Sequence, residues 1–517
     1  MSSRYLSFAV FSAGMTTLAV ELTASRLLGN VFGTSNLVWA SIIGLILIYL
    51  TVGYFIGGRW ADRSPRFSTF YVIILWGAFT AGAAALVARP VLRAAADAFD
   101  QLALAVLAGS FVSVLVLFII PVTLLGTVSP FAIRLALSDK QHAGRVSGRL
   151  YAISTLGSFI GTFLPVLVFI PLVGSTFTFL IFSGFLMAVA LVGLGLSEGW
   201  RSAFRWLWVP LLLAVLASIW AGGAFKASTG QIYETESAYN YIQVLELNGT
   251  RYLRLNEGQG VHSVYNLDEL DFHGTWEQFL AAPFFNASYS IDDIERIAVI
   301  GLAAGTSARQ ATAVFGDIPI DGYELDPKIV EVGREYFGMN MPNLNVIEQD
   351  GRWGLEHSDQ IYDLIEIDAY RPPYIPPHLT TLEFFQLCRD HLTEDGVLAM
   401  NVGRTPEDRS LIDALVVTLK RIFPSVHVMD VPNSFNSIVY ATVQPTSFDN
   451  LQANFDLLAD EEGVHPLLLA SIQRALDNRR GTPTEGNLLT DERAPVEWIV
   501  NKMVLNFLSS EGVEELQ

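Results

Sequence analysis

A chain of 517 residues is too long for one ordinary domain. With 51% apolar and 16% charged residues and a mean hydropathy of +0.39, it is also too apolar for an ordinary soluble protein, although its formal charge is −19. The charge is unevenly spread: up to Lys226 there are 14 basic and 6 acidic residues (+8), and beyond it 18 and 45 (−27). This split excludes a disordered chain and a single soluble domain. It also argues against a nucleic-acid partner, because a −27 half would repel a phosphate backbone. Cys388 is the lone cysteine, so neither an intrachain disulfide framework nor a cysteine zinc site is expected.

Residues 1–226 read as a multispan α-helical membrane domain. Seven apolar runs reach the ~20 residues needed to cross ~30 Å of hydrocarbon, at about 5–27, 35–57, 69–92, 102–127, 149–172, 175–196 and 204–224. The fourth runs on through Pro121 and Pro130, as one span with an interfacial helix or as a broken span. Basic residues gather in alternate connections: Arg4; Arg59, Arg63 and Arg66; Arg134, Lys140, Arg145 and Arg149; Arg201 and Arg205. They place the N-terminus in the cytoplasm of a multi-pass protein of the cell membrane. Seven crossings would put the C-terminal half outside, and an eighth inside. Glu21 in the first run is a candidate functional carboxylate or a partner for a neighbouring helix. Gly157, Ser158 and Gly161 suit close helix packing. Residues 57–63, Gly-Gly-Arg-Trp-Ala-Asp-Arg, read as a short turn between spans.

From about Gly230 the pattern changes to short alternating runs, and residues 227–290 read as a small β-rich lead-in and a linking helix. Asn248-Gly249 between Tyr241–Leu247 and Thr250–Leu255 predicts a tight hairpin. A helix is expected over Thr275–Phe285. Residues 291–517 read as an α/β, Rossmann-like domain. Strands are expected at 296–300, 318–323, 345–348, 362–367 and 396–401, with helices at 307–315, 328–337 and 382–392. Such alternation builds a mostly parallel sheet covered on both faces, with ligands at the strand ends.

The chemistry-bearing residues stand at those ends. Gly301, Ala303, Ala304 and Gly305 let a ligand approach the backbone after the first strand. Glu324 ends the second strand, 19 residues beyond Gly305, where a carboxylate can accept both ribose hydroxyl protons. Asp326 follows it. Asp350 and Gly351 close the third strand, in place for an adenine amino group, and Asp368 closes the fourth. Each acid has a plainer reading as a helix cap. The turn lacks both Gly-Lys-Ser/Thr and a three-glycine fingerprint, so an adenosine without phosphates fits better than a nucleotide. No metal-ligand spacing is present, and no metal is expected.

Over Ile297–Gly403 the sequence resembles the polyamine aminopropyltransferases (spermidine synthases). The whole chain resembles their membrane-bound variants, through Leu124–Pro130 and Tyr151–Gly157. The resemblance implies a methyltransferase-like fold, decarboxylated S-adenosylmethionine as co-substrate, and a small-molecule amine acceptor. It implies that Glu324 holds the ribose, Asp350 reads the adenine and Asp368 deprotonates the attacking amine. Asn240 falls where the family has a glutamine near the sulfonium. Trp276 and Glu277 match the region lining the amine site. Tyr374–Thr381, with His378, matches the family's gatekeeping loop in position, and Tyr370, in the segment directly after Asp368, is a further substrate-site candidate. Asp491 and Glu492 belong to a polar turn that recurs in membrane-bound variants and is a candidate to fold over the site.

Two departures stand against classical spermidine synthesis. Ala304 replaces an aspartate of the glycine turn, and Arg371 replaces the second acid of the Asp-x-x-Asp-Pro signature, here Asp368-Ala369-Tyr370-Arg371-Pro372. Methyl transfer from S-adenosylmethionine therefore stays open. So does a non-catalytic transporter or sensor for polyamines or nucleosides. The expected partners are a lipid bilayer and the small amine, with a homodimer left open.

Overall fold

The computed structural model describes residues 3–32, 36–99, 105–137, 143–221, 228–256, 260–370 and 374–509. Arg371 lies outside them. The chain divides into two compact units, Met1–Thr229 with Glu234–Ile242 and Asn256–Gly258, and Gly230–Tyr233 with Gln243–Leu255 and Gln259–Gln517.

The first unit is helical: α1 (Ser3–Phe32), α2 (Asn36–Arg63), α3 (Phe67–Phe99), α4 (Ala105–Gly126), α5 (Val128–Ala136), α6 (Ala143–Leu164), a π-helical turn (Pro165–Phe169), α7 (Ile170–Glu198), α8 (Trp200–Arg205) and α9 (Trp208–Trp220). Among the described residues six helical stretches are long and apolar enough to cross a membrane, against the seven expected. The difference lies in Ala143–Glu198, a 56-residue stretch. Gly174 interrupts it with φ 76° and ψ 170°. Phe169 and Phe182 have ring centroids 5.5 Å apart. In one straight helix their 13-residue separation would place them about 20 Å apart. The chain therefore folds back at Gly174, between the fifth and sixth expected runs. Residues 57–63, expected as a turn, instead continue α2 to Arg63, and Asp62 pairs with Arg134 at 3.0 Å. The helix runs on because its two glycines are followed by residues with no breaker until Pro65. The small residues of α6 do pack closely: a Cβ on Gly157 or Gly161 would fall about 2 Å from a backbone carbonyl of α1.

The second unit takes most of a four-stranded sheet, order β1 (Gln231–Glu236), β2 (Tyr241–Leu247), β3 (Thr250–Leu255), β4 (Val261–Tyr265). Asn248 (φ 52°) and Gly249 (φ 80°) make the turn between β2 and β3, both left-handed as a two-residue hairpin requires. The expected helix at 275–285 is a 3₁₀ helix, Trp276–Phe285, with Pro283 inside it and no residue exposed. Proline removes a backbone donor, which disfavours a regular α-helical ladder.

The main sheet follows: β5 (Ile297–Ile300), α10 (Thr306–Phe315), β6 (Ile320–Tyr323), α11 (Pro327–Tyr336), β7 (Leu344–Ile347), α12 (Gly351–Glu356), β8 (Tyr362–Ile367), α13 (Leu382–Asp390), β9 (Leu392–Gly403), α14 (Ser410–Leu419), β10 (Ser425–Asp430), β11 (Asn436–Thr442), α15 (Phe448–Ala459), α16 (Pro466–Asp477), β12 (Arg479–Arg480) and α17 (Val496–Ser509). The strand order is β12-β10-β11-β9-β8-β5-β6-β7. Strands β5 to β9 run parallel, and β11 is antiparallel to β9. One face packs Ile300, Ile365, Ile367 and Met400 against α13, α14 and α17. The other packs Val299, Leu364 and Ala399 against the 3₁₀ helix, α10 and α16. The strand order reverses between β5 and β8, which opens a crevice at their carboxyl ends.

Candidate functional site

The crevice is built on a backbone contact that only glycine allows. Gly301 follows β5 with φ 91°, and a Cβ there would lie 2.5 Å from the Ala369 nitrogen beyond β8. Ala303 is also left-handed (φ 48°), and Gly305 (φ 81°) precedes the first turn of α10. The bend leaves the Ala303 N–H free to donate to Glu324 Oε2 at 2.9 Å, which ties this turn to the end of β6. Glu324 Oε1 accepts from the Asp326 N–H at 3.0 Å. Burial raises the Glu324 carboxyl to about 7, against these two hydrogen bonds.

Asp326 itself is 1% exposed and caps α11, accepting from the Lys328 N–H at 3.0 Å. The geometry thus gives it a structural task that its neighbour Glu324 does not share. Asp350 also caps a helix, taking the Arg352 and Trp353 N–H groups at 3.0 Å through Oδ1 and leaving Gly351 as the first residue of α12. Its Oδ2 meets His378 Nε2 at 2.9 Å. His378 and the two amides hold the Asp350 carboxyl below its usual range, the histidine contributing most. His378 therefore stands with the third strand's acid.

Asp368, at the end of β8, is partly buried. Its Oδ1 accepts from Asn401 Nδ2 at 2.9 Å, and the Trp276 side chain donates to it as well. Burial raises this carboxyl to about 7 in spite of both donors. Trp276 is thus brought to the candidate base. Glu277 is turned inward: it is 0% exposed, its oxygens accept from Phe272 N, Gly274 N and Gln310 Nε2, and burial raises its carboxyl. Tyr370 lies against Gly403, where its hydroxyl accepts the backbone N–H, and burial followed by the Asp368 charge raises it. Ala304 is fully buried, with its N–H on Ser263 Oγ at 2.9 Å.

The turn near the C-terminus does reach this edge of the sheet. Asp491 accepts from both terminal nitrogens of Arg352 at 2.7 Å and from the Thr381 hydroxyl at 2.7 Å. Arg352 above all holds its carboxyl down, at about 2. The same guanidinium donates to the His378 carbonyl at 3.0 Å. Leu382 N–H bonds the Leu489 carbonyl, and Thr490 bridges Arg493, so the turn is docked onto α13. Glu492 remains exposed. Asn240 falls in the first unit, where its Oδ1 accepts from Asn256 Nδ2 at 2.9 Å.

Sequence reasoning missed Asn401, Ser263, Arg352 and Thr381 as members of the site. It also missed Glu366, two residues before Asp368 on β8, which is 0% exposed and carries a hydrogen bond from the Ser307 hydroxyl. An acid flanked on both sides by isoleucines in a strand (Ile365-Glu366-Ile367) is the signal that was available.

Comparison with known proteins gives this edge of the sheet a context. Residues 292–451 match the spermine/spermidine synthase domain. A probable polyamine aminopropyl transferase of Bifidobacterium longum is 33% identical over 216 residues, 41% of this chain and 47% of its own length. The chain thus spans about half of that relative. A polyamine aminopropyltransferase of Vibrio vulnificus is 26% identical over 300 residues, 56% of this chain and 97% of its own length. The crystal structure of a probable spermidine synthase from Corynebacterium glutamicum aligns with 52% of this chain and 100% of its own, at 18% identity and a TM-score of 0.39. The chain carries a spermine/spermidine synthase domain, the domain of a transferase family.

Proposed function

We propose that this chain is a membrane-embedded transferase that moves an aminopropyl group from decarboxylated S-adenosylmethionine to a small amine. The observation that carries the reading is the run of acids Glu324, Asp350 and Asp368, after three strands of one sheet and inside the matched domain. Glu324 is the acid for the ribose and Asp350 the acid for the adenine. Gly301, Ala303 and Gly305 let the nucleoside approach the backbone.

In the reaction the acceptor nitrogen attacks the carbon beside the sulfonium. A carbon–nitrogen bond forms, the carbon–sulfur bond breaks with its electron pair on sulfur, and one proton leaves the amine. The sulfonium is already an activated leaving group, so the protein supplies position and a proton acceptor. Asp368 takes that proton. A carboxyl raised to about 7 is matched to the task at neutral pH, and Asn401 and Trp276 hold it in place. Tyr370 and Trp276 flank the acceptor side. His378 reaches the site through Asp350, and Asp491 through Arg352. The apolar helices anchor the enzyme in a bilayer.

The purified full chain, given decarboxylated S-adenosylmethionine and a panel of amines, should release 5′-methylthioadenosine in step with a new secondary amine. Release of S-adenosylhomocysteine from S-adenosylmethionine instead would make it a methyltransferase. Donor binding without turnover on any acceptor would make it a sensor or transporter.

A further inference from the structure

Glu366 has no part in the reaction as derived, yet its placement is costly. It lies in β8, whose six residues are all buried, opposite Val299 of β5 and Ala399 of β9. A carboxyl is seldom fully buried without a counter-charge. One of its oxygens takes the Ser307 hydroxyl, and the other, Oε1, is buried with no hydrogen-bond partner among the described residues.

A second buried acceptor in the same condition is Asn401 Oδ1, whose amide nitrogen is the group that donates to Asp368. Side chains two apart on a strand share a face, so Glu366 and Asp368 point the same way. Ala399 sits opposite Glu366, so Asn401, two residues on, is its diagonal neighbour on that face, within reach of a long side chain. Two buried acceptors on one diagonal lack a donor, and a proton on Glu366 would provide one.

The charges around Glu366 agree. On its own strand the charge acting on it is Asp368. On α10, Arg309 is turned to the Val264 and Phe337 carbonyls and stacked on Tyr265. On the 3₁₀ helix, Glu277 is tied to Gln310 and its own loop. On β9 the acids Glu394 and Asp395 stand at the opposite end of the strand, and just before β5 Arg296 pairs with Asp321. Burial raises the Glu366 carboxyl to about 8, with the Asp368 charge acting in the same direction.

We propose that Glu366 is a positioning residue for the base: it holds a proton at neutral pH, donates it to Asn401 Oδ1, and so fixes the Asn401 amide with its N–H toward Asp368. The negative charge of the two carboxyls is then confined to Asp368, where the substrate amine arrives. This rests on the reading of Asp368 as the base. Ser307, Glu366, Asn401 and Asp368 form one relay of hydrogen bonds from α10 to the site. Above the range in which Glu366 keeps its proton, the relay loses its donor and transfer should fall.

The test uses the full chain in detergent, as wild type, Glu366→Gln and Glu366→Leu. Glutamine can still donate to Asn401 and accept from Ser307, whereas leucine can do neither. Infrared difference spectra at pH 7, wild type against Glu366→Gln, should show a protonated-carboxyl stretch that the variant lacks; its absence overturns the proposal. In the amine-transfer assay Glu366→Gln should stay within about threefold of wild type at pH 7 and lose the alkaline decline. Glu366→Leu should lose about 10- to 100-fold in kcat, on the scale of a misplaced general base, with donor affinity unchanged. A folded Glu366→Leu with a wild-type rate and pH profile overturns the proposal. So does a Glu366→Gln variant as inactive as Glu366→Leu. If the wild type transfers nothing, the functional reading fails, and the infrared band still decides the protonation state.

Discussion

Replacing Asp368 by asparagine should stabilise the protein while disabling it. The Asp368 carboxyl is raised from 3.8 to about 7, mainly by burial. A raised acid binds its proton more tightly when folded, so its contribution is fully favourable below the unfolded value and is lost as pH rises through the folded one. Between pH 5 and pH 8 the folded state carries up to one more proton than the unfolded state at this residue. Integrating that excess gives a wild-type loss of roughly 2.5 kcal/mol across the window, at 1.36 kcal/mol per pH unit. Asparagine does not titrate. The stability gap between variant and wild type should therefore widen in the variant's favour by about that amount from pH 5 to pH 8. This holds whatever constant offset the altered hydrogen bonds to Asn401 and Trp276 introduce. For a unit of this size it corresponds to a melting gap that widens by roughly 5 °C. Thermal unfolding of both full-length proteins in detergent, at a series of pH values, measures it. Transfer by the same variant should fall by about 10²–10⁴, with nucleoside binding nearly intact. A gap that stays constant with pH would show that Asp368 is not raised. A stable variant that transfers at the wild-type rate would remove it from the reaction.

Glu324→Ala should weaken binding of a methylthioadenosine-like nucleoside by about 1.5–3 kcal/mol, read by calorimetry on the full chain; unchanged binding would mean the carboxylate only braces Ala303. Putrescine should be a poor acceptor, and the pair Ala304→Asp with Arg371→Asp should raise diamine turnover; wild-type turnover with putrescine at ordinary rates of about 1–10³ per second would show that these departures count for little. Arg352→Ala should free residues 489–495 to fast amide exchange at pH 7. In the wild type the same segment should stay protected as pH falls to about 4, because a carboxyl depressed to about 2 keeps its charge above that range and loses it only below. Gly301→Ala should cost more than about 2 kcal/mol or prevent folding, since it needs a left-handed backbone and has no room for a methyl group; a well-folded variant would show that the turn can shift.

The parts of the molecule written locally were legible in the sequence. Asn248-Gly249 names its own hairpin turn, and the alternation of apolar runs with helical periods gives β5 through β8 to within two residues at each end, whereas β9 starts four residues earlier and ends two later than the expected 396–401. Gly174 marks the reversal between two apolar runs, although no rule of hydropathy fixes its φ of 76°. What was illegible depends on pairing across the sheet. Asn401 joins Asp368 because β8 and β9 run side by side, and their register is set by packing rather than by either segment alone. Arg352 and Asp491 are 139 residues apart, so their fork is invisible until α12, α13 and the late turn are brought together. Acids at strand ends were recognisable, but which oxygen is spent on a helix cap was not. Asp326 and Glu324 are two residues apart, yet one caps α11 while the other accepts from the Ala303 N–H of the turn after β5.

The seam of this protein does not fall where its composition changes. Hydropathy and charge switch near residue 226, but Glu234–Ile242 belongs with the helices. There Arg26 donates to the Ser237 and Tyr239 carbonyls at 2.7 and 3.0 Å, and Glu236 takes both the N–H and the hydroxyl of Ser175, just past the reversal at Gly174. A soluble fragment cut at residue 228 would begin with a strap whose anchors had been discarded. Its backbone carbonyls would have lost their guanidinium, and Glu236 its hydroxyl. Anyone trimming the molecule for crystals, or joining its sheet to other helices, inherits that severed strap along with Asn240. The helices hold part of the chain that follows them, and a design that treats them as detachable removes the partners of Glu234–Ile242 along with them.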